Sequence, residues 1–479
     1  MSLKSSIATA AKWSILAELA SKGLTPIIFV VLAWLLTPKD FGLIAIATMI
    51  ISFAQIFWDA GLSKALIQRQ KDIEKTANIV FWTNAILGIL IYVLLLLSAG
   101  FIAHLFNEPL AEDVIKIQGI QIILASLCSV QTALFKKDLN FKPLFYVRLL
   151  TTVLPGLASI PLAWGGLGYW ALVVGTLVGA LGQLILLWLI NPWRPKLEYD
   201  KWIARQLISF SLWVTGEGFL SWGIMWLDAL IIGAYLGTED LGLYRTGNAF
   251  VLIVFSLLLS PLLPVLFSSF SRLQDDRPRM LLAVRKSIRA VSIISIPTGI
   301  GFFITGGLLE EIIFEDKWSG IGAVIGWMGL MHGISWLVGV NSEAYRSIGR
   351  ADLSTKIMMI SLLFYLPTFL IAAQYSLEVF LIARFVVAIV AIPIHIVVSN
   401  IYLNLRWTVI VGELKWIILS GVLVGLVGYG LSSYLNELEE LQAFLILVPI
   451  GLISYLLFMF KEWNFFREMV STVFIKKIV

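Results

Sequence analysis

Long apolar runs alternate with short polar gaps along the whole chain, and the runs share nearly one length. An apolar run of about 20 residues is long enough to cross the hydrocarbon core of a bilayer as a helix. Such runs fall near 13–36, 41–63, 78–103, 114–135, 144–164, 167–190 and 208–236 in the first half. The second half adds 242–270, 287–308, 319–345, 354–373, 377–403, 412–434 and 442–460. The pattern predicts an all-α polytopic membrane protein with about fourteen transmembrane helices. The gaps alternate in sign. NEPLAED, LEEIIFEDK and NELEEL are acidic, whereas the intervening gaps collect Lys and Arg, as at Arg272, Arg277, Arg279, Arg285, Lys286 and Arg289. Of the 35 basic residues, 29 fall on one side by this alternation. The positive-inside rule makes that side cytoplasmic and places both termini there.

The pattern also repeats. Trp13, Leu36, Asp40, Gly42 and Leu43 return as Trp213, Leu236, Asp240, Gly242 and Leu243, all at an offset of 200 residues. Gln131, Leu134 and Phe135 of the fourth run resemble Asn341, Ala344 and Tyr345 of the tenth. The polar gap Asn191 to Arg205 separates the copies. Six helices is an even number, so both copies enter the membrane in the same direction, as parallel repeats about an axis along its normal. The expected division is 1–200 and 201–406 for two six-helix bundles, with 407–479 holding two additional helices and a cytoplasmic tail.

Composition narrows the class. The chain has 479 residues, 59% hydrophobic and 14% charged, with a mean hydropathy of +0.92. Soluble domains carry about 25% charged residues. The net charge of +5 raises nucleic acid as a partner. Its confinement to gaps between apolar runs argues against one and for contact with membrane lipids. A single cysteine, Cys128, excludes an intramolecular disulfide and a multi-cysteine metal site. The N-terminus lacks a small-residue cleavage pattern, so the first helix is expected to be retained. His104, His332 and His395 are scattered, and neither zinc spacing, a phosphate-binding glycine loop nor a catalytic triad pattern is present. No catalytic residue, metal or cofactor is expected.

Polar groups inside the runs carry the candidate chemistry. Glu217 and Asp228 lie eleven residues apart in the seventh run, close to three helical turns, and so project from nearly one face. Acids in a spanning helix are costly and normally face a bundle interior or a wet cavity. Thr48, Ser52, Gln55 and Asp59 form one polar stripe on the second helix. Arg245 and Asn248 are one turn apart on the eighth, His332 and Glu343 share a face of the tenth, and Arg384 and His395 share one of the twelfth. Each of these faces could be interhelical hydrogen-bond glue; together they suggest a wet cavity between two halves. Lys22 follows Glu18 by one turn, which permits an ion pair. Two readings stand for Lys22: a structural partner that snorkels to the interface, or a cation that holds an anion. Arg245 divides the same way, and Arg384 could pair with Asp228 or Glu217. The substrate candidates are Lys22, Arg245, Arg384, Gln55 and Asn248; the acid or ion-coupling candidates are Glu18, Asp59, Glu217 and Asp228. Prolines within the runs permit kinks.

Leu36 to Gln70, LTPKDFGLIAIATMIISFAQIFWDAGLSKALIQRQ, resembles the opening of the polysaccharide-transporter branch of the multidrug/oligosaccharidyl-lipid/polysaccharide exporter superfamily. LFKKDLNFK (Leu134 to Lys142) and EAYRSIGR (Glu343 to Arg350) extend the likeness. The chain resembles flippases of the Wzx type, especially the colanic-acid-exporter-like group. The resemblance implies a V-shaped exporter fold around a central cavity. It also implies a cargo of undecaprenyl-diphosphate-linked oligosaccharide, moved across a bacterial plasma membrane by alternating access for exopolysaccharide, capsule or lipopolysaccharide biosynthesis. A proton or sodium gradient could drive the cycle through the acids, and a polysaccharide polymerase and export machinery would act downstream. Lys22 resembles the cavity arginine of related lipid-linked peptidoglycan flippases, with loss of bidentate phosphate geometry. A cation-coupled multidrug exporter of the same superfamily is the first rival, although cavity cations would repel its cargo. A membrane-embedded polymerase or ligase is the second, and the short outer loops count against it.

Overall fold

The computed structural model describes residues 3–463 apart from 60, 199, 260–261, 351 and 436. Arg467, Lys476, Lys477 and Pro261 therefore lie outside the described residues, as does the side chain of Trp213. The described residues are mostly helical, in an order that recurs. The first copy runs α1 (Leu3–Leu35), α2 (Pro38–Asp59), α3 (Leu62–Gln68), α4 (Ile73–Leu105), α5 (Leu110–Gln118), α6 (Ile120–Lys137), α7 (Phe141–Trp164) and α8 (Tyr169–Ile190). The second runs α9 (Lys201–Tyr235), α10 (Thr238–Leu259), α11 (Leu262–Arg272), α12 (Arg277–Leu309), α13 (Ile321–Ser347), α14 (Asp352–Ala372) and α15 (Leu377–Leu403). Two further helices follow, α16 (Trp407–Leu435) and α17 (Glu440–Phe458). Among the described residues fourteen helices are long and apolar enough to cross a membrane, as the hydropathy pattern predicts. The copies agree in detail. A long α2 followed by a short α3 at residue 62 is matched, 200 residues on, by α10 and a short α11 at 262.

The helices outrun the apolar pattern at their polar ends. α12 begins at Arg277, ten residues before its apolar run, because Asp276 caps it by accepting the Arg279 amide at 3.2 Å and Pro278 presets the first turn. α9 begins at Lys201, where Asp200 accepts the amides of Trp202 and Ile203 at 2.9 and 3.1 Å. The second apolar run, read as one helix, is broken at Gly61. Its φ of 73° is a left-handed conformation that glycine adopts without steric cost.

By compactness the chain divides after Arg245 into two units. In the first, α9 packs on α2 and α3. The gap after α8 is stitched down rather than loose. Asn78 of α4 uses its whole amide on it, accepting from the Lys196 amide and donating to Glu198, both at 3.0 Å. Trp82 donates to the Lys196 carbonyl at 3.0 Å. Also within this unit, Gly42 and Gly242 mark the tightest helix approach. A β-carbon on Gly42 would overlap the Thr238 carbonyl, and one on Gly242 the Pro38 carbonyl. Lipid tails are as apolar as leucine, so helices in a bilayer associate through such close backbone packing rather than through burial.

In the second unit, α12 and α13 form a comparable seam, with Gly299 against the Gly329 carbonyl and Gly333 against that of Ser295. α16 is tied to α12 by charge. Glu413 takes Arg285 at 2.5 Å and Arg289 at 3.4 Å, and Arg289 also pairs with the buried Glu462.

Candidate functional site

The α2 stripe meets α9 across a cavity of about 380 Å³ in the first unit. Its walls include Ser52, Gln55 and Asp59 of α2, Lys64 of α3, and Glu217, Ser221, Trp222 and Trp226 of α9. Spacings of three and four on α2, and of four and five on α9, bring these groups onto facing sides. The turn at Gly61 brings Lys64 to the same space. Asp59 is held by the Ser63 hydroxyl, which donates to Oδ1 at 2.6 Å. The Trp222 indole N–H donates to the Met49 carbonyl at 3.1 Å and the Ser52 hydroxyl at 3.2 Å, and its ring meets Phe53 edge-on at 4.8 Å. Those bonds lock the Trp222 ring. Trp226 is buried, and the Arg245 guanidinium lies over its ring at 4.1 Å, a cation–π stack.

The two acids of α9 have different surroundings. Glu217 is exposed in the cavity, whereas Asp228 is only 4% exposed. Asp228 accepts from the Tyr244 hydroxyl at 2.5 Å and the Ala229 amide at 2.7 Å. Eleven residues separate them by about 16 Å along the helix axis. The chain turns back into α10 beside the level of Asp228, and Tyr244 covers it there. One helical face thus holds a cavity acid and a packed acid.

The remaining candidates occupy three further places. Glu18 and Lys22 form an ion pair at 2.9 Å on α1, with the Lys22 side chain 23% exposed. Beside them the buried Ser21 accepts from Arg148 of α7 at 3.1 Å and bonds the Thr152 hydroxyl at 3.0 Å. In the second unit, Asn248 Oδ1 meets His332 Nε2 at 2.9 Å. Arg384 lies over the Phe369 ring at 5.6 Å, within electrostatic reach of His332. Gln55, Asp59 and Glu217 are brought together in one cavity, and Arg245 backs its wall. Lys64 is not among the sequence candidates; the Gly61 turn shortly after the stripe is the available signal. On α13, Glu343 pairs with Arg346 at 3.0 Å near the end of the helix. Among the described residues no cluster of three or more His, Cys, Asp or Glu could hold a metal ion.

The motifs behind the family resemblance are structural joints. Asp40 accepts from the Thr37 amide and hydroxyl at 2.9 and 2.7 Å and from the Tyr169 amide at 2.9 Å, joining the starts of α2 and α8. Lys137 donates to the Ile67 carbonyl at 3.1 Å and to that of Arg69, closing the end of α3. Arg350, after the left-handed Gly349, forks onto Asp352 at 2.9 and 3.1 Å and stacks on Tyr402 at 4.6 Å. The Asp352 carboxylate beside it pushes the pKa of Arg350 further up.

Known proteins share this build. The polysaccharide biosynthesis protein family matches residues 31–323. The chain is 26% identical over 322 residues to the succinoglycan biosynthesis transport protein ExoT of Rhizobium meliloti (strain 1021), covering 67% of this chain and 65% of that protein. It thus spans slightly less than two thirds of that relative. It is 24% identical over 386 residues to the lipopolysaccharide biosynthesis protein WzxC of Escherichia coli (strain K12), covering 78% and 77%. Among solved structures it is similar to the lipid II flippase MurJ in an inward closed conformation, with a TM-score of 0.77 over 96% of this chain and 100% of that one, at 14% identity. A multidrug resistance MATE family transporter of the MOP superfamily, inward-facing, gives 0.59 over 81% and 98% at 12% identity. At those identities the likeness is one of fold, whereas the family match spans more than half of the sequence. The chain belongs to the polysaccharide biosynthesis protein family and has the multi-span fold of the lipid II flippase and multidrug exporter structures.

Proposed function

We propose that the protein is a flippase, not an enzyme, which moves a lipid-linked oligosaccharide across the plasma membrane of a bacterium by alternating access. The observation that carries this reading is that one unit holds a mixed polar and aromatic cavity and the other an apolar groove. The first unit offers the mixed polar and aromatic cavity of α2, α3 and α9. The second offers an apolar groove of about 820 Å³ between α12, α13, α15 and α16, lined by Ile300, Phe303, Leu337, Ile392, Val422 and their neighbours. A carrier chain suits the groove and a glycan suits the cavity. The names of the relatives, a succinoglycan transport protein and a lipid II flippase, support the same reading.

On this proposal the carrier is undecaprenyl diphosphate, and the candidate cations for its phosphates are Lys22 and Arg245 of the first unit and Arg384 of the second. Asp59 and Glu217 are the acids that would exchange a proton or sodium ion. Both termini lie in the cytoplasm, and a polysaccharide polymerase with its export machinery takes the product. The test is reconstitution into vesicles with labelled undecaprenyl-diphosphate oligosaccharide, scoring its exposure on the opposite leaflet. Protein-dependent exposure is expected under one of the two imposed ion gradients. None under either gradient overturns the proposal. An acidic aromatic cavity also suits organic cations, so tetraphenylphosphonium uptake is scored in the same vesicles; uptake without lipid movement would make the protein a multidrug exporter.

A further inference from the structure

The cavity of α2, α3 and α9 offers more chemistry than lipid movement alone requires, and the role inferred for it rests on the flippase reading. Its charge is wrong for phosphate. Two carboxylates, Asp59 and Glu217, line it with one ammonium, Lys64. A diphosphate there would meet net negative charge. Its remaining chemistry is that of polyol recognition. Carboxylates are acceptor-only and can each take two hydroxyl donors; the Gln55 amide both donates and accepts, as do the Ser52 and Ser221 hydroxyls. Trp222 has spent its only donor on Met49 and Ser52, so it can offer a ligand nothing but ring. Trp226 is fixed from behind by Arg245. A rigid indole beside convergent hydroxyl acceptors suits the C–H face and the hydroxyl rim of a sugar ring. The volume of about 380 Å³ lies at the low end of small-molecule sites, enough for a single glycosyl residue or a disaccharide rather than a long repeat unit.

We infer that this cavity is a sugar-reading site of the flippase: it binds one neutral or amino-bearing glycosyl residue of the cargo on Trp222, Gln55, Asp59 and Glu217, and rejects uronic acids. The diphosphate binds elsewhere. The acids act as a charge filter as well as hydroxyl acceptors, because specificity needs a repulsive element against the wrong ligand.

The test measures calorimetric binding of farnesyl diphosphate, farnesyl-diphosphoglucose, farnesyl-diphosphoglucosamine and farnesyl-diphosphoglucuronate to the detergent-purified full chain. Glucose and glucosamine probes are expected to bind at least about tenfold more tightly than the sugarless and glucuronate probes. Trp222→Leu should remove that increment and leave farnesyl diphosphate binding unchanged, while Trp222→Phe, which keeps a ring, should retain most of it. The Asp59→Asn/Glu217→Gln double variant should bring glucuronate level with glucose. Equal binding of all four probes, or a sugar increment indifferent to Trp222→Leu, overturns the inference. So does binding of tetraphenylphosphonium with no binding of any sugar-bearing probe or of methyl glucoside. Failure of every farnesyl diphosphate probe, with methyl glucoside still bound in a Trp222-dependent way, overturns the lipid-linked reading instead and leaves the sugar site standing. Thermal melting of each variant separates loss of binding from loss of fold.

Discussion

The two copies preserve their helix order but not their chemistry, and the difference is sharpest between α2 and α10. The stripe Thr48, Ser52, Gln55 and Asp59 corresponds, 200 residues on, to Asn248, Leu252, Phe255 and Leu259. Three of the four positions have become apolar, and Phe255 and Leu259 are fully buried. The helix that packs on α2 differs from its own counterpart as well: Glu217 and Trp222 of α9 correspond to Ala17 and Lys22 of α1. Positions that shape the joints remain. Asp40 and Gly42 persist as Asp240 and Gly242, and each glycine lies against the backbone that starts the other's helix. A repeat in a bilayer can therefore hold its backbone by a few tight contacts while its cavity positions change freely.

The largest effect should come from those joints. Gly242→Val places a side chain into the Pro38 carbonyl, a backbone atom that cannot swing away. Overpacking with no relief costs about 3 kcal/mol or more. The expected result is little folded protein, read as a collapsed melting transition and aggregation on size exclusion. Gly216→Ala is the control, since nothing lies within 4 Å of a β-carbon there; its melting should match the parent. Equal behaviour of the two variants would refute the joint.

The next effect exchanges the character of the copies. Leu259→Asp copies Asp59 into a position that is 0% exposed. A carboxylate in a spanning helix with no cavity costs about 3 kcal/mol, so its melting should fall well below that of the parent. Asp59→Leu, the reverse exchange, removes an acid from a cavity wall. It should melt at or above the parent temperature while losing transport of labelled lipid-linked oligosaccharide by about tenfold. A destabilised Asp59→Leu would mean that Asp59 is packing and not cavity.

Much of this fold was legible in the sequence because a bilayer leaves few options. Every backbone group must be satisfied within the span, so apolar length alone counts the helices. The repeat was legible from five residues at one offset. The grouping of the candidate residues was less so. Periodicity put Glu217 and Asp228 on one face but could not say that Tyr244 would cover only the second. It linked Glu18 with Lys22 correctly, because that contact is local, and missed Arg148, which reaches Ser21 from another helix. The Asp40, Lys137 and Arg350 motifs carried the family resemblance and, in the structure, tie helix ends together. Short motifs mark joints as readily as sites.

Glu217 and Asp228 allow the comparison to be made within one helix. Tyr244→Phe leaves a buried carboxylate short of a donor and should cost about 1–3 kcal/mol, seen as a lower melting temperature with transport per folded molecule retained. Glu217→Gln alters an exposed group and should stay within about 0.5 kcal/mol of the parent while transport falls. The reverse pattern would exchange their roles.

The smallest effect concerns the gap that joins the copies. Lys196 is hydrogen-bonded to Glu74 at 2.7 Å, and that bond raises its pKa above the ordinary 10.5. A raised pKa means that the folded state holds the proton more tightly than the unfolded chain. The pair therefore contributes fully below pH 10.5 and is lost as pH climbs through the folded value. The pair is exposed, so salt screens it and its contribution is slight. Asn78 holds the same segment from a fully buried position, accepting from the Lys196 amide and donating to the Glu198 carboxylate. Proteolysis at Leu197 should then rise only a little between pH 9 and 11, and Lys196→Met should abolish that rise. Asn78→Ala should accelerate cleavage more than either, at every pH. If the lysine variant were the more sensitive of the two, charge and not the buried amide would hold the gap, and the copies would be joined by the same kind of contact that ties α16 to α12 at Glu413.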